Sequence, residues 1–143
     1  MTERYRLTLV REEAGAPFGT QIWGPSDLAA VARTLICDEP QEIVLCLHLD
    51  RRHRLRGYHE VARGGVASAQ VDMQILFGAV LLTAAPAFVI AHNHPSGEAT
   101  PSPDDMALTR RVQRAAGLLG VEFVDHLVVT SNGFTSLREA GAI

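Results

Sequence analysis

Residues 87–105 read AFVIAHNHPSGEATPSPDD. Ala87 to His94 is a mostly apolar run of strand length. Pro95-Ser96-Gly97 then turns the chain. Ser102-Pro103-Asp104-Asp105 opens a helix, with a serine cap, proline at the first helical position and an acid at the third. A loop this short can fold the helix start back against the strand end.

The pattern continues on both sides. After Ser102 the helix is expected to run to about Leu119, with Leu108, Val112, Ala115 and Leu119 inside. Glu122 to Thr130 reads as a strand, Asn132-Gly133 as a turn, and Phe134 to Leu137 as a short returning strand. Upstream, Asp72 to Ala84 is apolar on most sides and predicts a heavily buried helix, separated from the strand by Pro86. Glu42 to Leu49 (EIVLCLHL) is a near-continuous apolar run, as in a central strand. Asp50 to His53 makes a turn and Leu55 to Ala62 returns, giving a hairpin that Gly64-Gly65 ends. Ser26 can cap a helix from Asp27 to Asp38, with Leu28, Val31, Ala32, Leu35 and Ile36 inward and Pro40 beyond its end. Residues 12–25 read as a loop, and Arg4 to Arg11 as a strand with Tyr5, Leu7 and Leu9 on one face. Strands and helices mix throughout, with no repeat and no long linker. The class is α/β or α+β: one domain over residues 1–143, a mixed sheet flanked by helices.

Composition narrows the function classes. The 143 residues are 47% hydrophobic and 20% charged, which suits a packed globular domain rather than a disordered chain. A net charge of −3 argues against broad electrostatic binding to nucleic acid. Cys37 and Cys46 form no CxxC pair and read as buried thiols in a reducing compartment. The N-terminus is too charged for a signal peptide. The apolar run from Ile75 to Val89 is too short to span a bilayer. A cytoplasmic protein is the expectation.

His92 and His94 lie two apart on a strand, so their imidazoles point the same way. The capped helix brings Asp105 toward the same point. Two imidazoles and one carboxylate leave one position of a tetrahedral Zn²⁺ site open, the usual catalytic arrangement. Fe²⁺ or Mn²⁺ would accept the same donors. Glu60, near the end of RLRGYHEV, is the candidate general base. The bland alternatives are a surface histidine pair, a serine that only caps, and a solvated strand glutamate.

HNHPSGEATPSPDD resembles the motif of the JAB/MPN (JAMM) metalloprotease superfamily, in which H-x-H-P is followed by a serine and, three residues later, an aspartate. The form H-N-H-P-S-G-x-x-x-P-S, with Asp125-His126 downstream, resembles the RadC-like (UPF0758) branch. The resemblance covers roughly Gly24 to Ile143 and leaves residues 1–23 uncovered. It implies a cytidine-deaminase-like fold, metal ligands His92, His94 and Asp105, a catalytic glutamate at Glu60, and an oxyanion-stabilising hydroxyl at Ser102. Asp104 is the adjacent alternative ligand, though the spacing favours Asp105. The activity implied is zinc-dependent cleavage of a peptide or isopeptide bond. RadC-like proteins commonly carry an N-terminal helix-hairpin-helix module, and nothing here has its length or pattern. A deaminase would need H-x-E and P-C-x-x-C, which this sequence lacks.

Other residues invite further readings. Asp125 or His126 could orient a ligand imidazole from behind it, or be a buried pair satisfied by backbone. His48, His53 and His59 show no partner at metal spacing and read as structural or exposed. Arg51, Arg52, Arg54 and Arg56 form a cationic cluster on a hairpin. They would serve a second reading, a DNA-repair or mobile-element binding module with a structural or vestigial metal. A third reading, phosphodiester hydrolysis, fits a single-metal site less well. Arg110, Arg111 and Arg114 are expected on the outer face of their helix. Gly64 and Gly65 would leave room for an extended peptide beside Glu60.

Overall fold

The computed structural model describes residues 1–6, 10, 12, 19–64 and 71–143. Two strands, β1 (Ile43–Leu49) and β3 (Ala87–Asn93), are buried along their whole length. That follows from their near-continuous apolar runs, which need cover on both faces. They pair antiparallel, with Val44 opposite His92 and His48 opposite Phe88. β2 (Leu55–Arg63) returns antiparallel beside β1 and forms one edge. On the other side of β3, β4 (Glu122–Val129) runs parallel and β5 (Phe134–Ser136) closes antiparallel. The order is β2-β1-β3-β4-β5. A parallel pair cannot be joined by a hairpin; helix α3 (Pro103–Leu119) makes the crossover from β3 to β4. The mixed sheet flanked by helices is therefore present.

Strand alternation divides the core. Leu45, Leu47, Leu49, Val89, Ala91, Leu127 and Val129 pack with helix α1 (Pro25–Ile36) on one face. Val44, Cys46, Phe88, Ile90 and Phe123 meet residues of helix α2 (Met73–Leu82) and α3 on the other. His92 continues the second set by the same alternation, and His126 joins it past the register shift in β4. No helix among the described residues is long and apolar enough to cross a membrane.

Several boundaries differ from expectation. Helix α1 starts at Pro25, with Gly24 at its cap and no side-chain cap bond, so Ser26 is already inside. Proline at the first helical position costs no hydrogen bond and presets the turn. Asp27 takes the side-chain role instead, accepting from the Trp23 N–H at 2.7 Å. The helix ends at Ile36, before Pro40 is reached. Arg33 ties it to the β4–β5 turn through the carbonyls of Thr130 and Gly133.

Helix α2 is less buried than expected. Leu76, Phe77 and Val80 face the sheet, whereas Ile75 and Leu81 are each 50% exposed. It lies over the β1–β2 side, and no described element covers its outer face. In α3 the inward stripe is Leu108, Val112 and Ala116; Ala115 is half-buried and Leu119 is exposed. Gly120 ends α3 in the left-handed conformation (φ 71°) that favours glycine. Arg110 and Arg114 are exposed and Arg111 is half-buried. Cys46 is buried, but Cys37 is only half-buried.

Of the strand expected over residues 4–11, residues 7–9 and 11 lie outside the described residues. Arg4, Tyr5, Arg6 and Val10 are not in a strand. Gly65 is also outside them. Within the expected loop, Gly19 to Ile22 run beside the start of β2, where Gln21 bridges Arg54.

Candidate metal centre

The strand end and the helix start converge as local chemistry requires. His92 and His94 project from one side of the chain, their Nε2 atoms 2.9 Å apart. The loop after them is pinned at both ends: His94 N–H donates to Val129 O, and the Thr135 hydroxyl to Ala99 O. Gly97 takes φ 88° in the turn. Ser102 and Asp105 then form a reciprocal capping box: Ser102 Oγ accepts from Asp105 N–H at 3.0 Å, and Asp105 Oδ2 accepts from Ser102 N–H at 2.8 Å. This lock aims the Asp105 carboxylate at both imidazoles. Oδ1 lies 3.1 Å from His92 Nε2, and Oδ2 lies 3.1 Å from His94 Nε2. The three groups offer ligand atoms within 4.8 Å of one another. Asp104, the alternative ligand, is exposed on the helix start.

The hydrogen bonds around the cluster assign its protons. His94 Nδ1 sits 2.8 Å from the Glu98 carbonyl, so that nitrogen carries the hydrogen and Nε2 is bare. His92 is set through a longer chain. Thr109 donates its one hydroxyl hydrogen to the Asp105 carbonyl at 2.9 Å. It must then accept from His126 Nδ1, 2.7 Å away. His126 Nε2 is left bare and accepts from His92 Nδ1 at 2.8 Å. With a neutral ring, His92 Nε2 then has a lone pair and no hydrogen. With both rings neutral, two lone pairs and a carboxylate face each other, and a cation bound there would satisfy all three.

The charge balance of the metal-free cluster rests on the same groups. Burial opposes the charged form of Asp105, but a proton carried by His92, through its hydrogen bond and charge, and the Ser102 bonds outweigh it. The carboxyl is held well below its ordinary range and is an anion at neutral pH. Burial, with the charge of His92, pushes the His126 imidazole well below its ordinary value. His126 is 0% exposed and stays neutral, as its place in the chain requires. Two imidazoles and one carboxylate, with partners behind both imidazoles, fit a divalent transition metal.

Asp125 and His126 part company. Neighbours on a strand face opposite sides of the sheet, and the register shift at Phe88/Val89, between Phe123 and Asp125 on β4, leaves His126 and not Asp125 on the side of His92. His126 reaches His92. The Asp125 carboxylate accepts from its neighbour's N–H at 2.7 Å, from the Ser136 hydroxyl at 2.5 Å and from Arg138 N–H at 3.1 Å. It ties β4 to β5 and makes no contact with the ligand imidazoles.

Glu60 lies on edge strand β2 and is engaged by Arg63 at 2.6 Å. None of its bonds reaches the cluster. The carboxylate that does approach is Glu42, whose Oε1 is 3.9 Å from His94 Nε2. Glu42 immediately precedes β1, beside the end of β3, whereas β1 separates β2 from β3. Asn93, the residue between the two histidines, faces the opposite side and anchors this segment. Its Oδ1 accepts from Ile43 N–H at 2.7 Å, and its Nδ2 donates to the carbonyls of Gln41 and Glu39. A polar residue at a buried strand position was the signal for it.

The remaining histidines are not all unpartnered. His53 pairs with Glu122 at 3.2 Å. His48 and His59, which showed no partner at metal spacing, meet each other at 2.8 Å and lie beside Cys46. Strand pairing, not sequence spacing, joins them, since Cys46 is opposite His59. In the cationic hairpin, Arg54 donates to Gln21 Oε1 and Arg56 to Thr83 O.

Comparison with known proteins follows the same residues. A family model described as RadC-like JAB domain matches residues 22–142. A UPF0758 protein of Clostridium perfringens is 33% identical over 139 residues, covering 97% of this chain and 60% of the relative. One from Halorhodospira halophila is 38% identical, covering 96% of this chain and 62% of the relative. One from Chloroflexus aggregans is 37% identical, covering 84% and 52%. The chain thus spans between about half and three fifths of the length of these curated relatives. Over most of its length, the chain belongs to the RadC-like JAB domain family, the UPF0758 proteins.

Proposed function

We propose that the chain is a metal-dependent hydrolase that cleaves an amide bond of a peptide or protein, as a peptidase or isopeptidase. The observation that carries this reading is the convergence of two imidazole nitrogens and the Asp105 carboxylate on one point. His92, His94 and Asp105 would hold the ion. Bound Zn²⁺, or Fe²⁺ or Mn²⁺ in the same donor set, would supply Lewis-acid activation of water at neutral pH. Glu42 replaces Glu60 as the general base, because it is the carboxylate beside His94. It takes a proton from the attacking water and returns it to the leaving amine. Ser102 Oγ is already an acceptor in the capping box. Its own O–H can donate to the substrate carbonyl oxygen as charge develops there. β2 is an edge strand that, among the described residues, is paired on its outer side only at its start, by Gly19 to Ile22, so an extended peptide can add beside the rest of it. The nucleic-acid reading gains less, because Arg54 and Arg56 already serve Gln21 and Thr83.

The test is a peptide-library screen of the wild type against Glu42→Gln and Glu60→Gln, with metal measured in each. Loss of turnover in Glu42→Gln with metal retained, and turnover kept in Glu60→Gln, is the expected outcome. Active Glu42→Gln beside inactive Glu60→Gln would return the base to Glu60. Failure of the wild type to take up any added metal would remove the hydrolase reading.

A further inference from the structure

The α2 side of the sheet holds a second group of soft donors. Cys46 and His48 are two apart on β1 and share a face; His59 sits opposite Cys46 on β2. Their ligand atoms lie within 4.8 Å of one another. Along β1, Cys46 and His48 are two and four residues from Val44, the partner of His92. Those steps span about 7 Å and about 13 Å of strand. The group shares no residue with the centre at His92, and apolar Ile90 and Phe88 lie opposite Cys46 and His48 on β3.

The surroundings again assign protons. His59 Nε2 is 3.0 Å from the Ile75 carbonyl, so it carries the hydrogen and Nδ1 is bare. Thr83 follows helix α2, and its hydroxyl lies 2.8 Å from Ala79 O and 3.1 Å from Val80 O. Donating there, it accepts from His48 Nδ1, 3.0 Å away. His48 Nε2 is then bare as well. The two bare nitrogens face each other at 2.8 Å beside a thiol. Ligating histidines in metal sites use this outer-nitrogen anchoring, which fixes the tautomer and aims the free lone pair.

We propose that Cys46, His48 and His59 form a second metal site, which takes a thiophilic divalent ion of the Zn²⁺ class and clamps β1, β2 and α2 together. One thiolate and two imidazoles suit Zn²⁺ or Co²⁺, while Ca²⁺ and Mg²⁺ demand oxygen donors. Binding forms the metal–sulfur bond and breaks the S–H bond of Cys46, releasing its proton to solvent. Cys46 and His48 are buried, and half-buried His59 on the edge strand gives access.

The experiment is Co²⁺ titration of the full chain, read by the near-ultraviolet sulfur-to-cobalt charge-transfer band. The centre at His92 has no sulfur and cannot produce that band. The band is expected in the wild type, in His92→Ala and in Cys37→Ser, and is expected to vanish in Cys46→Ser. If Cys46→Ser does not fold, His59→Gln, at a half-buried edge position, decides the matter. There the affinity read from the band should fall about tenfold or more. Cobalt uptake without a charge-transfer band, a band lost in Cys37→Ser, or unchanged affinity in His59→Gln would each overturn the proposal.

Discussion

At one end of the α2–α3 face, Thr109 gives its hydroxyl proton to the carbonyl four residues back and takes one from His126. At the other end, Thr83 does the same between Ala79 and His48. In both places a threonine in or just after a helix, held by that helix's carbonyls, sets which nitrogen of a neutral imidazole carries the hydrogen. The two clusters differ in what completes them. The first adds a carboxylate aimed by a capping box and opens onto a loop and Glu42. The second adds a thiol and lies under α2. The first also passes through an extra imidazole, His126, before it reaches a ligand. The lesson is that two histidines near each other become a site only when other groups dictate their protons.

The comparison can be broken in several places. The largest effect is expected from Asp105→Ala, which removes the carboxylate and half of the capping box. Elemental analysis should show loss of one equivalent of metal, with the cobalt–thiolate band of the second cluster unchanged. Loss of both would mean that the clusters are not independent.

Thr109→Val comes next, because it leaves the His126 Nδ1–H buried without an acceptor. A stability loss of about 1–3 kcal/mol is expected from the unpaired donor. Metal affinity at the first centre should weaken roughly 10–100-fold, as for a lost outer partner. Competition with a chelator measures it. Affinity that does not change would mean that the proton chain does not set the His92 tautomer.

Asn93→Ala should cost a similar amount, since it strands Ile43 N–H and two carbonyls. Its signature is different: metal is retained while turnover falls, because Glu42 loses its anchor. Turnover and metal content measured on one preparation separate this outcome from simple unfolding.

Proton linkage gives a smaller effect, on the metal-free protein. Burial, then the charges of His59 and Arg56, lower the His48 imidazole to about 4, and burial holds His126 lower than usual too. The unfolded chain takes up these protons near pH 6.5, where the folded chain does not. The unfolded state thus binds more protons, so stability falls as pH drops below 6.5. The contribution from His48 levels off near its folded value of about 4. Denaturant melts at pH 7, 6 and 5 should show progressively lower midpoints. The smallest effect is expected from Thr83→Val, at a half-buried position: a weaker cobalt band and an unchanged first centre.

Much of the first centre was legible because its parts are local. Alternation along a strand puts His92 and His94 on one side. A serine cap with an acid at the third helical position aims Asp105. Both rules act over a few residues. The helices were legible for the same reason, but their exposed faces were not. Ile75 and Leu119 continue an apolar pattern, and among the described residues no element covers them, which leaves them in solvent.

The sequence by itself determined the strand–turn–capped-helix unit, the mixed sheet and the His92, His94 and Asp105 group. Only the tertiary structure brought Glu42, and not Glu60, beside His94, because strand order puts β1, not β2, beside β3. It alone decided that His126, and not Asp125, stands behind His92, through a register shift in a parallel pair. It also brought His59 to Cys46 and His48, whose alternate spacing on β1 matches that of His92 and His94. These contacts depend on which strands pair and in what register. Pairing is settled by the burial of whole faces, to which no short stretch of chain has access.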